Sequence, residues 1–179
     1  MMHPKTHNPK RQPRPRYIAY VASSIDGRIS LTEKSRPTWT SKEDWSFFQK
    51  SLSRADAVVV GRNTYEAAAS RLKKRNTFVL TSAKEGLGTT GSVTFLNPKR
   101  VDLASVLSDY REVAIVGGSR VYQEMLDHGM LDELYVTIEP LVFGRGKPMF
   151  EGGTKNARLN LVSVKKLNTK GTLLLHYKI

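Results

Sequence analysis

Three short segments combine residue types that can bind an anion: residues 61–64 (Gly-Arg-Asn-Thr), 81–82 (Thr-Ser) and 117–120 (Gly-Gly-Ser-Arg). Each lies at the end of an apolar run of the length expected of a buried strand. Glycine lets backbone N–H groups approach a ligand closely, and a helix that begins there adds the positive end of its dipole. Arginine binds phosphate through two parallel hydrogen bonds. The chemistry predicted for these segments is therefore the binding of a cofactor phosphate.

Each observation also has a simpler interpretation. Gly117 and Gly118 are compatible with a tight strand-to-helix turn, since the full G-x-G-x-x-G pattern is absent. A single arginine such as Arg62 or Arg120 is usually a solvated surface charge. Both arginines, however, follow closely after a predicted strand, and ligands of open α/β sheets bind at the carboxyl ends of the strands. Because these positions carry guanidinium and hydroxyl groups rather than an acid for the ribose, they favour NADPH with its 2′-phosphate.

The elements that must position these residues alternate between strands and helices. Apolar runs predict strands at 17–22, 57–60, 77–80, 93–96, 113–116, 134–138, 159–167 and 172–178. Helical spacing of apolar residues predicts helices at 41–52, 64–72, 103–107 and 119–126. This order predicts an α/β fold with a mainly parallel central sheet, helices on both faces and an antiparallel C-terminal edge.

The composition limits the classes of protein that remain. The 179 residues contain no cysteine, which excludes disulfides, zinc thiolates and thiol catalysis. The four histidines are dispersed, so no metal site is predicted. No apolar run approaches a membrane span, and residues 17–179 are long enough for a single domain. Any catalytic acid must therefore be a carboxylate or a tyrosine.

The formal net charge of +13 suits an anionic ligand. Residues 1–16 contain five basic residues, four prolines and no acid, so we predict a disordered basic arm. This arm lacks the features of a signal peptide or a transit helix, and we expect a cytoplasmic monomer or homodimer with a small-molecule substrate and no membrane partner. Nucleic acid is not the expected partner, although a non-catalytic basic nucleic-acid binder is kept as the third hypothesis.

Asp44 opens a helical pattern in the segment Ser41-Lys-Glu-Asp44. From these residues alone the common explanation is a helix start, with Ser41 as the N-cap and Asp44 as its acidic partner. Trp45, Phe47 and Phe48 follow directly, so the carboxyl group is also expected to be buried, and burial raises the pKa of a carboxyl group. The two roles can coexist.

Several of these segments together resemble the dihydrofolate reductases. Residues 61–82 are similar to the cofactor segment of that family without a gap, and residues 116–122 are similar to its second cofactor segment. The second similarity implies a cis peptide bond between Gly117 and Gly118. Trp39 and Asp44 keep the spacing of the family's loop tryptophan and pterin-binding carboxylate, and Thr137 matches the threonine that supports that carboxylate. The resemblance covers roughly residues 17–150.

The resemblance implies roles for individual residues. The residues implied in catalysis are Asp44, Trp39 and Thr137. The residues implied in NADPH binding are Ala22, Gly61, Arg62, Asn63, Thr64, Thr81, Ser82, Val116, Gly117, Gly118, Ser119, Arg120, Val121 and Tyr122. The residues implied in substrate binding are Tyr20, Asp44, Phe48, Leu72 and Arg75. Arg75, expected to bind the glutamate tail of the substrate, equally fits a solvated run of cations, and Phe48 equally fits a core position.

The activity implied is NADPH-dependent reduction of a pterin, first of all of 7,8-dihydrofolate to tetrahydrofolate. Two other segments resemble the reductase domain of the deaminase-reductases of riboflavin biosynthesis: residues 24–27 (Ser-Ile-Asp-Gly) and 141–146 (Leu-Val-Phe-Gly-Arg-Gly). That family implies reduction of a pyrimidine riboside 5′-phosphate as the second hypothesis. The Asp-x-Pro that it carries in the helix after Thr64 is absent here, and no zinc deaminase motif is present. The sequence therefore leaves the choice between the two substrates open.

Overall fold

The computed structural model describes residues 13–32, 38–83 and 85–179. In chain order its elements are β1 (Arg16–Ser24), β2 (Arg28–Ser30), α1 (Lys42–Leu52), β3 (Ala57–Gly61), α2 (Arg62–Leu72), β4 (Thr77–Leu80), β5 (Leu87–Thr90), β6 (Val93–Leu96), α3 (Leu103–Leu107), β7 (Glu112–Ile115), α4 (Ser119–Asp127), β8 (Glu133–Glu139), β9 (Lys147–Pro148), β10 (Asn160–Lys166) and β11 (Leu173–Lys178). Each strand and helix that the sequence predicts is present, with ends shifted by a few residues.

A nine-stranded sheet in the order β10-β11-β8-β1-β7-β3-β4-β6-β5 forms the centre of the fold. The strands from β8 to β6 in this order run parallel, whereas β11 and β10 at one edge and β5 at the other pair antiparallel. The predicted mainly parallel sheet with an antiparallel C-terminal edge is confirmed. Its parallel register places Ala22 beside Thr137 and Gly61 beside Leu80, so several strands end at the same edge.

Helices cover both faces of the sheet, as the sequence predicts. Side chains alternate along β3, so Val58 and Val59 enter two different apolar clusters. The helices α1 and α2 pack on the first face through Leu52 and Leu72. The helices α3 and α4 pack on the other face, where Met125 is fully buried. Full burial of each such aliphatic side chain contributes about 1.5–3 kcal/mol to the stability of the fold.

The sequence pattern does not predict β2, β5 and β9. The strands β2 and β9 are short and polar, and they pair only with each other in a separate two-stranded sheet. The edge strand β5 contains Gly88 and leaves Leu87 exposed, so it lacks the apolar alternation of a half-buried strand. Tertiary pairing, rather than local propensity, therefore makes these residues extended.

The N-terminal boundary of the fold lies close to the predicted one. Strand β1 begins at Arg16, and Arg14 pairs with Asp132. Of the predicted basic arm, residues 1–12 lie outside the described residues. None of the helices in the described ranges is both long enough and apolar enough to cross a membrane.

A buried carboxylate ties three strands together at the other end of the sheet. Glu133 on β8 accepts hydrogen bonds from Arg16 Nη2 at 2.6 Å and Nε at 2.9 Å, and its second oxygen lies 2.7 Å from His176 Nε2 on β11. Burial alone raises the pKa of Glu133, but the hydrogen bonds from Arg16 and His176 outweigh it, so the pKa is lowered.

We expect Glu133→Gln to lower the free energy of unfolding by about 1–3 kcal/mol at neutral pH, because the amide cannot replace a carboxylate between these donors. A lowered folded-state pKa means that the stabilisation is present above the ordinary pKa and is lost as the pH falls through the folded-state value. Urea unfolding at neutral and acidic pH measures both effects. Asp109→Asn, a matched change at an exposed acid, should leave stability within about 0.5 kcal/mol of the wild type.

Candidate active site

A cavity of about 1030 Å³ opens at the carboxyl ends of the parallel strands. The ends of β1, β3, β4 and β7 meet there, since these strands are neighbours in the parallel sheet. Its wall includes all three segments in which the sequence combines glycine, hydroxyl and arginine, residues 61–64, 81–82 and 117–120. Tertiary structure thus brings together segments that are distant in the sequence, residues 61–64 and 117–120 being more than fifty positions apart.

One side of the cavity is built from two helix N-termini. Gly61 is the N-cap of α2 and Gly118 the N-cap of α4, and neither helix has a side-chain cap or an acid in its first turn. The two starts are joined directly, because Gly61 N–H donates to Gly117 O at 2.7 Å. Helix N-termini without acids retain free N–H donors and a positive dipole end, which suits an anion.

Cations and hydroxyls also line the cavity. Arg62, Lys99 and Arg120 are part of the wall, together with Thr81 and Ser82. The guanidinium of Arg62 is exposed and pairs with Glu66 one turn later, at 2.9 Å between Nε and Oε1. A phosphorylated dinucleotide fits this donor set, because its pyrophosphate and its 2′-phosphate both need N–H, hydroxyl or guanidinium donors.

The turn between β7 and α4 has the backbone that the family resemblance implies. The Gly117–Gly118 peptide bond is cis, and Gly117 has a φ of 106°. A Cβ atom at Gly117 would lie 3.1 Å from Tyr122 Oη. That hydroxyl donates to Tyr20 O at 2.7 Å, and burial raises the pKa of Tyr122 well above its usual value. Gly117 therefore needs both an unusual φ and the absence of a side chain.

We expect Gly117→Ala to lower the free energy of unfolding by about 1–3 kcal/mol, because a non-glycine residue at this φ is strained. The added methyl group also crowds the buried Tyr122 hydroxyl. Urea unfolding followed by circular dichroism measures the loss. Gly86→Ala is the matched control, since Gly86 has an ordinary φ and open space around its Cβ position. Equal midpoints for the two variants would contradict this account.

The cavity wall also contains one buried acid. Asp44, in the first turn of α1, is only 8% exposed and lines the cavity. Desolvation by burial raises its pKa, although hydrogen bonds with the side chains of Thr137 and Thr40 act in the opposite direction. The nearby charge of Glu139 adds to the rise. Asp44 is therefore a carboxyl group with raised proton affinity inside a cavity.

The structure separates the two roles that the sequence leaves open for Asp44. Ser41 Oγ accepts from the backbone N–H of Asp44 at 3.2 Å, which is the helix cap. In a capping box the Asp44 carboxylate would accept from the Ser41 N–H, but here that hydrogen bond goes to Glu139 Oε1 at 2.6 Å. Glu139 comes from β8 and is itself held by Thr172 at 2.7 Å. Because Glu139 completes the cap, the Asp44 carboxylate remains directed to the cavity and Thr137.

Aromatic side chains form the wall beside Asp44. Tyr20 and Tyr135, neighbours on β1 and β8, stack with their ring centroids 5.4 Å apart. Phe47 and Phe48 of α1 contact Tyr20 edge-on at 6.1 Å and 6.4 Å. All four line the cavity, so a flat ring held at the acid would lie among aromatic groups.

The two segments that resemble the riboflavin-pathway reductases contact each other. The Asp26 carboxylate accepts hydrogen bonds from Ser24 Oγ at 2.6 Å and from the backbone N–H groups of Phe143 and Gly144 at 3.0 Å and 2.8 Å. These bonds, led by that from Ser24, lower the pKa of Asp26 to about 2. Phe143 in turn packs edge-on against Trp39, with 5.1 Å between ring centroids. The contact holds Trp39, which directly precedes Thr40 and α1.

The cavity contains most but not all of the residues that the sequence assigns to the site. Those that do not line it are Trp39, Leu72 and Arg75. Trp39 Nε1 is buried and has no hydrogen-bond partner in the described ranges. Leu72 is buried in the apolar cluster under α2, and Arg75 Nη1 donates to Leu52 O at 2.8 Å. Their roles in catalysis and substrate binding stay predictions.

Several cavity residues were not selected from the sequence. Asn97 and Lys99 follow the parallel strand β6, just as residues 81–82 follow β4. Their position after a strand is therefore the signal that could have indicated them. Tyr135 lies two positions before Thr137 on β8, and the alternation of a strand places both on one face. Lys147 of β9 and Glu151, which follows that strand, belong to a segment in which no local pattern indicates a site.

Comparison with known proteins places this geometry among reductases. A family model described as the RibD C-terminal domain matches residues 15–173. The chain is 25% identical over 170 residues to the uncharacterized protein YwjB of Bacillus subtilis. The aligned region covers 89% of this chain and 95% of that protein. It is 32% identical over 125 residues to the dihydrofolate reductase of Buchnera aphidicola, covering 69% of this chain and 73% of that enzyme. The crystal structure of a pyrimidine reductase-like protein from Corynebacterium diphtheriae has the same fold, with a TM-score of 0.74, 18% identity and coverage of 92% and 91% of the two chains.

Proposed function

Because the chain belongs to the RibD C-terminal domain family, which has the dihydrofolate reductase-like fold and comprises oxidoreductases, we propose that it is an NADPH-dependent reductase that transfers a hydride to a pterin ring. The proposed substrate is 7,8-dihydrofolate and the product tetrahydrofolate. The observation that carries this proposal is Asp44, a buried carboxyl group held by Thr137 among aromatic side chains at the end of the parallel sheet.

The cofactor is assigned to the side of the cavity that holds the helix N-termini. The free N–H groups in the first turns of α2 and α4 would bind the pyrophosphate, and Arg62 with Thr81 and Ser82 would bind the 2′-phosphate. When bound, NADPH supplies the hydride. The proposed cofactor site also includes other residues that line the cavity: Ala22, Asn63, Thr64, Val116, Ser119, Arg120, Val121 and Tyr122.

Asp44 is assigned the task of holding and polarising the ring to be reduced. A carboxylate can accept two hydrogen bonds from the adjacent N–H groups of an amino-substituted pyrimidine or pterin. Its raised pKa gives it a higher proton affinity than an ordinary carboxyl group has, and the ring nitrogen next to the reduced carbon must gain a proton. Thr137 keeps the carboxylate oriented, while Tyr20 and Phe48 provide the aromatic wall. Trp39 is assigned a positioning role, because it directly precedes Thr40, whose side chain bonds to the Asp44 carboxylate.

A second substrate class is supported by a separate observation. The family model that matches residues 15–173 takes its name from RibD, and Asp26 joins the two segments that resemble the riboflavin-pathway reductases. Under this alternative the same cavity reduces the ribose of a pyrimidine riboside 5′-phosphate. The cations of the cavity wall would then bind the substrate phosphate as well as the cofactor.

Cofactor absorbance in the presence of each substrate tests the proposal. Purified full-length protein is mixed with NADPH and either 7,8-dihydrofolate or the pyrimidine riboside 5′-phosphate, and NADPH oxidation is recorded. We expect turnover with dihydrofolate. Turnover with the riboside phosphate alone would select the alternative. If the protein oxidises NADPH with neither substrate, and binds nucleic acid with an affinity that falls steeply as salt is added, it would instead be a non-catalytic nucleic-acid binder.

A further inference from the structure

A second buried carboxyl group lies close to Asp44, and the proposed function assigns it no role. Glu139, at the end of β8, is only 4% exposed and is not part of the cavity wall. It follows Thr137 by two positions, so the two side chains belong to the same face of the strand. Thr137 bonds to the Asp44 carboxylate, and Glu139 bonds to Ser41 at the start of the same helix. The two acids therefore meet at the first turn of α1.

Two buried donors hold the Glu139 carboxylate in place. The backbone N–H of Ser41 donates to Oε1 at 2.6 Å, and the hydroxyl of the buried Thr172 donates to Oε2 at 2.7 Å. Asn168 Nδ2 in turn donates to the Thr172 hydroxyl at 2.9 Å, within the turn between β10 and β11 (residues 167–172). Both oxygens of Glu139 are therefore engaged, and the carboxylate joins β8 to α1 and to this turn.

The charge of Glu139 acts on Asp44. In the part of the chain that the structure describes, no lysine, arginine or histidine forms an ion pair with Glu139. Two carboxylates in one buried region repel each other, so the charge of one raises the proton affinity of the other. Burial is the largest cause of the raised pKa of Asp44, and the charge of Glu139 adds to it, while hydrogen bonds with Thr137 and Thr40 oppose it.

The other titratable groups around Asp44 are uncharged or exposed. Tyr122 of α4 interacts electrostatically with Asp44, but burial raises the pKa of this phenol well above its usual value, so it stays neutral. Lys42 and Glu43, which precede Asp44 on α1, are exposed, and so is Lys170 of the turn between β10 and β11. Water and salt screen such exposed charges. The buried carboxylate at the end of β8 therefore remains as the charge that acts on Asp44 within the described residues.

We propose that Glu139 is a positioning residue for the reaction, which fixes the first turn of α1 to β8 and keeps a negative charge beside Asp44, an inference that rests on the proposed function. Glu139 lies outside the cavity wall, so it acts through Asp44 and not on the substrate. Without its charge, a larger share of Asp44 is ionised at any given pH. Fewer molecules then hold the proton that the ring nitrogen of the substrate must gain.

The dependence of turnover on pH tests this role. Glu139→Gln keeps the size of the side chain and an acceptor for Ser41 but removes the charge, so Asp44 should lose its proton at a lower pH. With NADPH and dihydrofolate, turnover relative to the wild type should fall about three- to tenfold further at alkaline than at acidic pH, the range expected when a neighbouring charge is removed. Glu43→Gln, the matched change at the exposed acid next to Asp44, should leave the profile unchanged. A loss by the same factor at every pH, or an unchanged profile of Glu139→Gln, overturns the proposal.

Carbon-13 NMR of the aspartate carboxyl groups in the full-length protein separates this proposal from the assignment of the reaction. The Asp44 signal, identified by its absence from Asp44→Asn, reports the proton on this acid without any turnover. A titration of Asp44 at lower pH in Glu139→Gln than in the wild type supports the role of Glu139 even if no acceptor is reduced, in which case only the proposed function fails. The same midpoint in both proteins overturns it.

The wild type alone decides the question if Glu139→Gln does not fold. Two acids that interact strongly titrate as a coupled pair, so the Asp44 signal of the wild type should change in two steps as the pH is varied. A two-step curve supports the proposal, and a single step with no response to the second acid overturns it.

Discussion

Asp44→Asn is expected to lower turnover of dihydrofolate by about two orders of magnitude or more, the scale of a group that acts in proton transfer. Asparagine has nearly the same shape, so α1 and its cap should persist: the Ser41 cap uses the backbone N–H of Asp44, and Glu139 completes it. What the variant lacks is a carboxylate whose pKa burial raises and which can accept two hydrogen bonds from the substrate ring. Stopped-flow and steady-state NADPH oxidation measure the loss.

Two further measurements decide whether this loss reflects chemistry or folding. NADPH affinity of Asp44→Asn should match the wild type, because the groups assigned to the cofactor phosphates do not include Asp44. Thr40→Val, which removes a hydrogen bond to the same carboxylate but keeps the acid, should reduce turnover far less. Wild-type turnover by Asp44→Asn would remove Asp44 from the mechanism.

The raised pKa of Asp44 also predicts how its contribution to stability depends on pH. A folded-state pKa above the unfolded value means that the folded protein binds the proton more tightly. The stabilisation is therefore fully present below the ordinary pKa and is lost as the pH rises through the folded-state value. Asp44→Asn removes this dependence, so its stability relative to the wild type should increase as the pH rises through that window.

Arg62→Ala is expected to weaken the binding of NADPH about 10- to 100-fold while leaving that of NADH nearly unchanged, because only NADPH carries the 2′-phosphate. Arg62 begins α2 at the cavity wall, and its guanidinium is exposed and only partly used by Glu66. Fluorescence or calorimetric titration with both cofactors measures the two affinities. Glu66→Gln removes the partner and retains the cation, so it should keep the preference for NADPH. Equal losses for both cofactors in Arg62→Ala would assign Arg62 to another task.

The resemblance carried by short segments proved a good guide to fold and family because those segments fix local geometry. Glycines at 117 and 118 predict a turn that other residues cannot form, and the structure has the cis bond and the positive φ there. Residues 61–64 and 117–120 likewise begin helices that have no acid in the first turn, so their local sequence already predicts a place for an anion. The side chains that would recognise a particular substrate lack such local constraints, and they are the part that the sequence left open.

The amino-acid sequence alone determined the order of the four helices and of eight strands, the α/β class and the three strand ends that line the cavity, because apolar periodicity and glycine placement act over a few residues. Only the tertiary structure decided which acid completes the cap of α1: Glu139, 98 positions from Ser41, takes that hydrogen bond and leaves the Asp44 carboxylate to the cavity. It also decided that Arg75 bonds to a backbone carbonyl while Arg71 lies over Trp45. Such choices depend on packing between distant segments, and no local pattern encodes them.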